Sequence, residues 1–93
     1  MNRFDVLEAA TATVADREDA YGKPADSFET VAQIWNAILG PDTLKEPLNG
    51  ADVVMLMIGL KLARLTVTPD HADSQVDLAG YASLLSEVTS KQK

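Results

Sequence analysis

The segment 53–60 constrains the fold more than any other part of this chain. Its residues, Val-Val-Met-Leu-Met-Ile-Gly-Leu, include no polar side chain. A helix that is apolar on every side must be surrounded by other protein. The chain has only 93 residues and no cysteine, so it offers one small domain without disulfides. Three further short helices would scarcely cover this segment, and we therefore predict that copies of the chain associate as a homo-oligomer.

Apolar residues recur at helical spacing along most of the chain. They predict four helices, at residues 4–19, 26–39, 51–65 and 69–89. The first helix is expected to bury the stripe Phe4, Leu7, Thr11 and Val14, and the second the stripe Phe28, Val31, Ala32, Trp35, Ile38 and Leu39. The tail, 90–93, is expected to fray. The pattern predicts an all-α fold, a compact bundle of about four helices that forms a single domain over residues 1–93.

Two helix starts carry capping signals. Asp26 precedes Glu29 by three residues, a spacing that predicts a capping box at the start of the second helix. Asn49 is placed to cap the third helix. Because a short turn joins helices three and four, we expect them to form an antiparallel hairpin. Counting outward from that turn places Gly59 level with Gly80, which predicts close backbone approach between the helices or room for a ligand.

The charge balance and the hydropathy exclude several classes of function. The chain has 14 acidic and 8 basic residues, a net charge of −6, whereas a protein that binds a nucleic-acid polymer presents a basic face. No segment approaches the roughly 20 apolar residues of a membrane span, and no signal peptide is recognisable. A single histidine and no cysteine make a structural zinc site unexpected. We expect a cytoplasmic protein that binds neither a nucleic-acid polymer nor a membrane.

Four charged side chains on the hairpin are the main candidates for chemistry. Lys61 and Arg64 share one helix face, and so do Asp73 and Asp77. The register of the hairpin places Lys61 near Asp77 and Arg64 near Asp73. One interpretation is a pair of salt bridges that fix this register. The other is a phosphate site, where the arginine fork matches phosphate oxygens and the lysine adds a point charge.

Aromatic residues supply the candidates for contact with a base. Tyr21 follows Arg17 and precedes a Gly-Lys-Pro turn, so it could stack on a base or cover the end of the bundle. Trp35 lies on the apolar stripe of the second helix, which is typical of a core residue. His71, at the start of the fourth helix, is expected to face solvent or bond to the turn rather than bind a metal.

Several segments resemble a family of small phage and prophage proteins of unassigned function. They are DVVMLM at 52–57, KLAR at 61–64, HADS at 71–74 and DLAGYA at 77–82. Arg17, the Tyr21-Gly22 pair, Phe28 and Trp35 fit the same pattern. More distantly, the chain is similar to the MazG-like all-α nucleotide pyrophosphohydrolases. These are helical oligomers that coordinate magnesium through a Glu-x-x-Glu pair on one helix and a Glu-x-x-Asp pair on the next.

The enzyme resemblance implies a magnesium site, but this sequence departs from its pattern. The candidate ligands are Glu29, Asp52, Asp73 and Asp77. The second helix lacks the acidic partner of Glu29, and the aspartates of the fourth helix are four residues apart instead of three. Hydrolysis of a phosphoanhydride needs metal ions to polarise the phosphate and activate water. A thinned carboxylate set therefore favours binding over hydrolysis, with no catalytic residue and no required cofactor.

We therefore expect a phage-type protein that binds and sequesters a nucleotide-derived signalling molecule, like the oligomeric sponges that phages use against bacterial defence. The expected ligand-binding residues are Arg17, Tyr21, Trp35, Lys61, Arg64, Asp73 and Asp77. One alternative is a magnesium-dependent MazG-like pyrophosphohydrolase. The other is a protein-interaction module that docks its third helix on a host protein and has no small-molecule ligand.

Overall fold

The computed structural model describes residues 1–90, which form four α-helices joined by short connections. These are α1 (Arg3–Tyr21), α2 (Pro24–Leu39), α3 (Gly50–Val67) and α4 (Ala72–Ser90). The described part contains no strand, so the predicted all-α fold is confirmed. Residues 91–93, most of the tail predicted to fray, lie outside the described part. None of the four helices is long and apolar enough to cross a membrane.

The start and end of α1 follow from local chemistry. The Asn2 side chain accepts hydrogen bonds from the backbone N–H groups of Phe4 and Asp5, each at 2.9 Å, which satisfies donors that a helix start leaves free. The helix ends before Gly22, whose φ of 84° is readily adopted by glycine. The predicted stripe of α1 is wrong at Phe4, Leu7 and Thr11, which are exposed, whereas Val14 is half-buried and Ala10 is buried. The predicted stripe of α2 is likewise wrong at Ile38 and Leu39, which are exposed.

The predicted capping box of α2 is wrong. The helix begins two residues before Asp26, at Pro24, whose fixed φ suits a first helical turn. Glu29 is therefore inside α2 and is not at the third position of a cap. Its Oε2 instead accepts a hydrogen bond from the backbone N–H of Gly50 at 3.1 Å. Glu29 thus satisfies a free donor at the start of α3, 21 residues further along the chain.

The start of α3 carries the predicted cap. Asn49 Oδ1 accepts from the Asp52 N–H at 3.0 Å, and Asp52 Oδ2 accepts from the Asn49 N–H at 3.0 Å. The next residue, Gly50, is buried against α2, where an added Cβ would lie 3.4 Å from the Cβ of Phe28. This contact fixes the position at which α3 leaves the loop.

The α3–α4 hairpin is the centre of the fold, and its helices make the most extensive contact between any two elements. Helix α2 packs on α3 and α1 packs on α4, while α1 and α3 do not touch within residues 1–90. The most deeply buried side chains come from α2, α3 and α4: Ala32, Val53, Val54 and Ser74. The fourth helix begins three residues later than predicted, because Pro69 and Asp70 form a turn instead of the first helical residues.

The predicted pairing of Gly59 with Gly80 is wrong. No atom of residues 1–90 lies within 4 Å of a Cβ placed on Gly59, which is exposed. Gly80 is buried and faces α1, where Val14 Cγ2 would lie 3.5 Å from an added Cβ. Counting residues from the turn places the two glycines at the same level of the hairpin, but they do not lie on the faces that α3 and α4 turn toward each other. Those faces carry other residues, notably Lys61 and Asp77.

Candidate functional site

A groove of about 160 Å³ lies between the C-terminal half of α1, the turn into α2 and the C-terminal half of α4. Helix α1 contributes residues three or four positions apart, which share one helix face. Helix α4 contributes two residues that are three positions apart, Tyr81 and Leu84. The side chains that line the groove and matter for its chemistry are Val14, Arg17, Tyr21, Phe28, Tyr81 and Leu84.

The groove continues along α4 as a smaller hollow. This hollow has a volume of about 30 Å³ and shares Val14, Arg17, Tyr81 and Leu84 with the larger part. Its additional lining includes Asp77. Three of the predicted ligand-binding residues, Arg17, Tyr21 and Asp77, therefore lie along one continuous depression. We call this depression the α1–α4 groove.

Aromatic side chains form one wall of the groove and its mouth. The rings of Phe28 and Tyr81 are 6.5 Å apart between centroids and meet edge to face at 66°, an arrangement that aromatic pairs favour. Tyr21 stands at the mouth with 71% of its surface exposed. A planar ligand in the groove would have three aromatic side chains within its lining.

Arg17 is the cationic group of the groove. Its side chain is exposed, and no carboxylate oxygen in residues 1–90 lies within 4.0 Å of its guanidinium nitrogens. An unpaired guanidinium keeps all its donors available for an anion, and its planar fork suits two phosphate oxygens at once. Glu18 also lines the groove, so an anionic ligand would have to approach from the Arg17 side.

Lys61 and Asp77 form an ion pair between α3 and α4. The Lys61 Nζ lies 2.9 Å from Asp77 Oδ2, with 10% and 24% of the two side chains exposed. This contact confirms the predicted proximity of the two residues. Asp77 is part of the lining of the hollow, whereas Lys61 is not.

The second predicted pair, Arg64 with Asp73, does not form an ion pair in the structure. Both residues are exposed. Arg64 follows Lys61 by three residues, so it is rotated by about 60° around the axis of α3 from the side chain that meets Asp77. It lines a shallow depression at the α3–α4 turn together with His71.

His71 acts as a cap for α4. Its Nδ1 lies 2.8 Å from Ser74 Oγ and accepts a hydrogen bond from the Ser74 N–H at 3.3 Å. His71 is exposed, which was one of its two predicted environments, and its side-chain bonds are to α4 and not to the turn. Trp35 is half-buried on α2 and does not line the α1–α4 groove.

The four candidate metal ligands do not come together. Glu29 is bonded to the Gly50 N–H, Asp52 to the Asn49 N–H, and Asp77 to Lys61, while Asp73 is exposed in the first turn of α4. In the part of the chain that the structure describes, no group of three or more acidic or histidine side chains could hold a metal ion. Three of the four carboxylates instead bind donors of the fold itself, one within its own helix start and two on another helix.

Tyr81, Phe28 and Leu84 are groove residues that were not predicted as a site. Tyr81 follows Asp77 by four residues, so the two share a face of α4. This four-residue spacing could have identified Tyr81 as a neighbour of Asp77 from the sequence. Phe28 carries no such signal, because its place opposite Tyr81 depends on how α2 leaves the Gly22 turn.

These features define a small four-helix domain with an aromatic groove, and comparison with known proteins places it in a family. Residues 5–89 match the model described as Domain of unknown function (DUF6378), so the chain belongs to this family. It is 32% identical over 84 residues to the Gene 55 protein of Mycobacterium phage D29 and 36% identical over 73 residues to the Gene 55 protein of Mycobacterium phage L5. The predicted resemblance to phage proteins of unassigned function is confirmed at this level.

The relatives are longer than this chain. The two alignments cover 89% and 77% of this chain but 52% and 44% of the phage proteins. The chain thus spans about half the length of the curated relatives it matches. No solved structure matches the chain.

Proposed function

We propose that this domain binds a nucleotide-derived small molecule in the α1–α4 groove and retains it without cleaving it. The observation that carries the proposal is the position of Arg17 and Tyr21. A free guanidinium and an exposed phenol ring, both among the predicted ligand-binding residues, line one groove together with Tyr81. Cations and stacking rings side by side are the groups that hold nucleotides in single-strand binding proteins.

The dimensions of the groove favour entry of the base. Its volume of about 160 Å³ is below the roughly 300–1,000 Å³ of sites that enclose whole drug-sized ligands. A base would occupy the apolar part between Tyr21 and the Phe28–Tyr81 pair, where stacking contributes about 1–3 kcal/mol per base. The phosphates would remain at the rim, within reach of Arg17.

Asp77 has a defined role in this arrangement. Its Oδ2 is bonded to Lys61, and the residue lines the hollow, where a carboxylate can accept a hydrogen bond from a sugar hydroxyl. Lys61 therefore positions Asp77 and does not contact the ligand itself. Arg64, Asp73 and Trp35 do not line the groove and are not part of the proposed site.

Retention fits the chemistry better than hydrolysis. Hydrolysis of a phosphoanhydride requires clustered metal ligands, whereas sequestration requires only affinity and sufficient copies of the protein. Glu29, Asp52 and Asp77 are each bonded within the fold. The phage relatives support a phage context. In that context the captured nucleotide would be a signal of bacterial defence, and the protein would act in the host cytoplasm.

The proposal includes self-association, because α3 leaves apolar side chains exposed that a second copy would cover.

The test is a thermal-shift screen of the purified protein against nucleoside triphosphates, cyclic di- and trinucleotides and cyclic ADP-ribose isomers, each with and without magnesium. A ligand that binds only the folded state raises the unfolding midpoint. After heating, the ligand is recovered and analysed. We expect a raised midpoint and an intact ligand. Recovery of a cleaved ligand only in the presence of magnesium would instead establish a MazG-like pyrophosphohydrolase.

Two variants localise the effect to the groove. Arg17→Gln and Tyr21→Ser should each reduce the ligand-dependent shift while leaving the midpoint of the free protein unchanged, because both side chains are exposed. Lys45→Gln, which removes an exposed cation from the loop between α2 and α3, is the matched control and should keep the full shift. An equal loss in all three variants would indicate non-specific charge attraction and refute the groove.

One observation favours a second function, a protein-interaction module. Met55, Leu56, Leu60 and Leu62 on α3 are 43–55% exposed, and contiguous exposed apolar surface is typical of protein interfaces. Under this alternative no ligand in the screen raises the midpoint, and the protein remains a single chain in solution until a host protein covers α3.

A further inference from the structure

The outward surface of α3 is apolar along most of the helix. Val54 and Lys61 mark its buried side. On the opposite side, residues three and four positions apart form an exposed stripe. We call it the outer stripe, and it consists of Leu56, Gly59, Leu60 and Ala63, with Met55 and Val67 beside it.

Gly59 has no role within the chain that requires a glycine. Its φ is not positive, and no atom in the described part of the chain lies within 4 Å of an added Cβ. A glycine in the middle of a helix lowers helix stability relative to alanine. Its presence at the centre of an exposed apolar stripe therefore indicates close approach by a backbone from outside the chain.

The two exposed charges of α3 have opposite signs and lie toward opposite ends of the helix. Asp52 lies at the start of the helix and Arg64 near its end, about 18 Å apart along the axis, and both are exposed. The third charged residue of α3, Lys61, is buried against Asp77. An antiparallel copy of α3 would bring Asp52 toward Arg64 of the second copy at both ends. A parallel copy would bring like charges together.

We propose that α3 of two copies pairs antiparallel through the outer stripe, about a two-fold axis between Gly59 and Leu60. This inference develops the self-association included in the proposed function and does not depend on the ligand. In this register Leu60 lies over Gly59 of the second copy, and Leu56 lies over Ala63 of the second copy. Each large side chain meets a small one, as a two-fold interface of one patch with itself requires.

The groove remains free in such a dimer. It is formed by α1, α2 and α4, and α1 does not touch α3 within residues 1–90. Each copy would therefore bind its own ligand, and the dimer would carry two grooves on surfaces remote from the α3 pair.

Sedimentation equilibrium tests the pairing. We expect wild-type protein at millimolar concentration to have twice the mass of one chain. Gly59→Lys should have the mass of one chain, since its side chain blocks close approach, yet keep its helical circular dichroism because space around Gly59 is open. Ala12→Lys, on an exposed position of α1, is the control and should remain a dimer. Wild-type protein with the mass of one chain, or a dimeric Gly59→Lys, would overturn the proposal.

Cysteine cross-linking tests the orientation, because the natural chain has no cysteine. A mixture of Leu56→Cys and Ala63→Cys proteins should oxidise mainly to the mixed 56–63 disulfide. Dominant 56–56 and 63–63 products would establish a parallel pair and refute the proposed register. Ligand binding separates this inference from the proposed function: a monomeric Gly59→Lys that keeps its ligand-dependent thermal shift supports both. A dimer whose unfolding midpoint no ligand raises would support the α3 pairing and refute the proposed function.

Discussion

Removal of Asp77 should destabilise the domain more than removal of its partner Lys61. The pair joins α3 to α4 at 2.9 Å, and Lys61 is the more buried member, with 10% of its side chain exposed against 24% for Asp77. Asp77→Ala leaves a buried ammonium group without its counter-charge. Lys61→Met leaves a carboxylate that water already reaches, and its apolar replacement fills the same space.

The magnitude follows from this difference in exposure. Breaking a fully buried ion pair by removing one partner costs about 3–5 kcal/mol, and an exposed pair contributes about 0–1 kcal/mol. Because solvent reaches Asp77, we expect about 2 kcal/mol for Asp77→Ala and about 1 kcal/mol for Lys61→Met. A domain of this size loses about 4–8 °C in its melting temperature per kcal/mol, so Asp77→Ala should lower the midpoint by about 8–16 °C.

Urea denaturation of a double-mutant cycle measures these values. The cycle comprises the wild type, Asp77→Ala, Lys61→Met and the double variant, with Glu87→Ala as an exposed control on α4. We expect the double variant to be more stable than Asp77→Ala alone, because the unpaired cation is gone. If Asp77→Ala changed the free energy of unfolding no more than the control, about 0.5 kcal/mol or less, the pair would not stabilise the hairpin and the argument would be refuted.

Three further substitutions test how the helices are held. Asn49→Ala removes the cap of α3 and should lower the free energy of unfolding by about 1 kcal/mol, measured by urea denaturation. Glu29→Ala leaves the Gly50 N–H without its acceptor and should cost about 1–2 kcal/mol in the same assay; a cost equal to that of an exposed α2 substitution would contradict the cross-helix cap. Gly80→Ala should stabilise the domain by about 0.5–1 kcal/mol, since the new methyl group meets Val14 at an ordinary contact distance of 3.5 Å; a loss of stability would show that α1 packs more tightly there.

The sequence predicts the helices well because their signals are local. Helical spacing and the Asn49 cap depend on residues within a few positions of each other, and both agree with the structure. The Asp26–Glu29 capping box failed because a second local signal, Pro24, starts the helix earlier. The acceptor that Glu29 then provides for Gly50 joins segments 21 residues apart, and local spacing carries no information on such a bond.

The site is predictable only in part for the same reason. Counting along the hairpin correctly places Lys61 beside Asp77, since both lie near the centre of the contact between α3 and α4. The same count fails for Gly59 and for Arg64, because it fixes the level along the axis and not the rotation around it. Tyr81 and Phe28 meet through the packing of α2 against α4, which no spacing rule along the chain describes.

An amide NMR titration with the nucleotide that raises the unfolding midpoint most shows directly whether that nucleotide binds in the α1–α4 groove. We expect progressive, saturable shifts of the amide signals of Arg17, Tyr21 and Tyr81, with the signals of α3 unaffected. The same titration of Tyr21→Ser should require more ligand to reach the same change. Shifts confined to α3 and the α3–α4 turn, or a protein that no nucleotide perturbs, would contradict a nucleotide site in the α1–α4 groove.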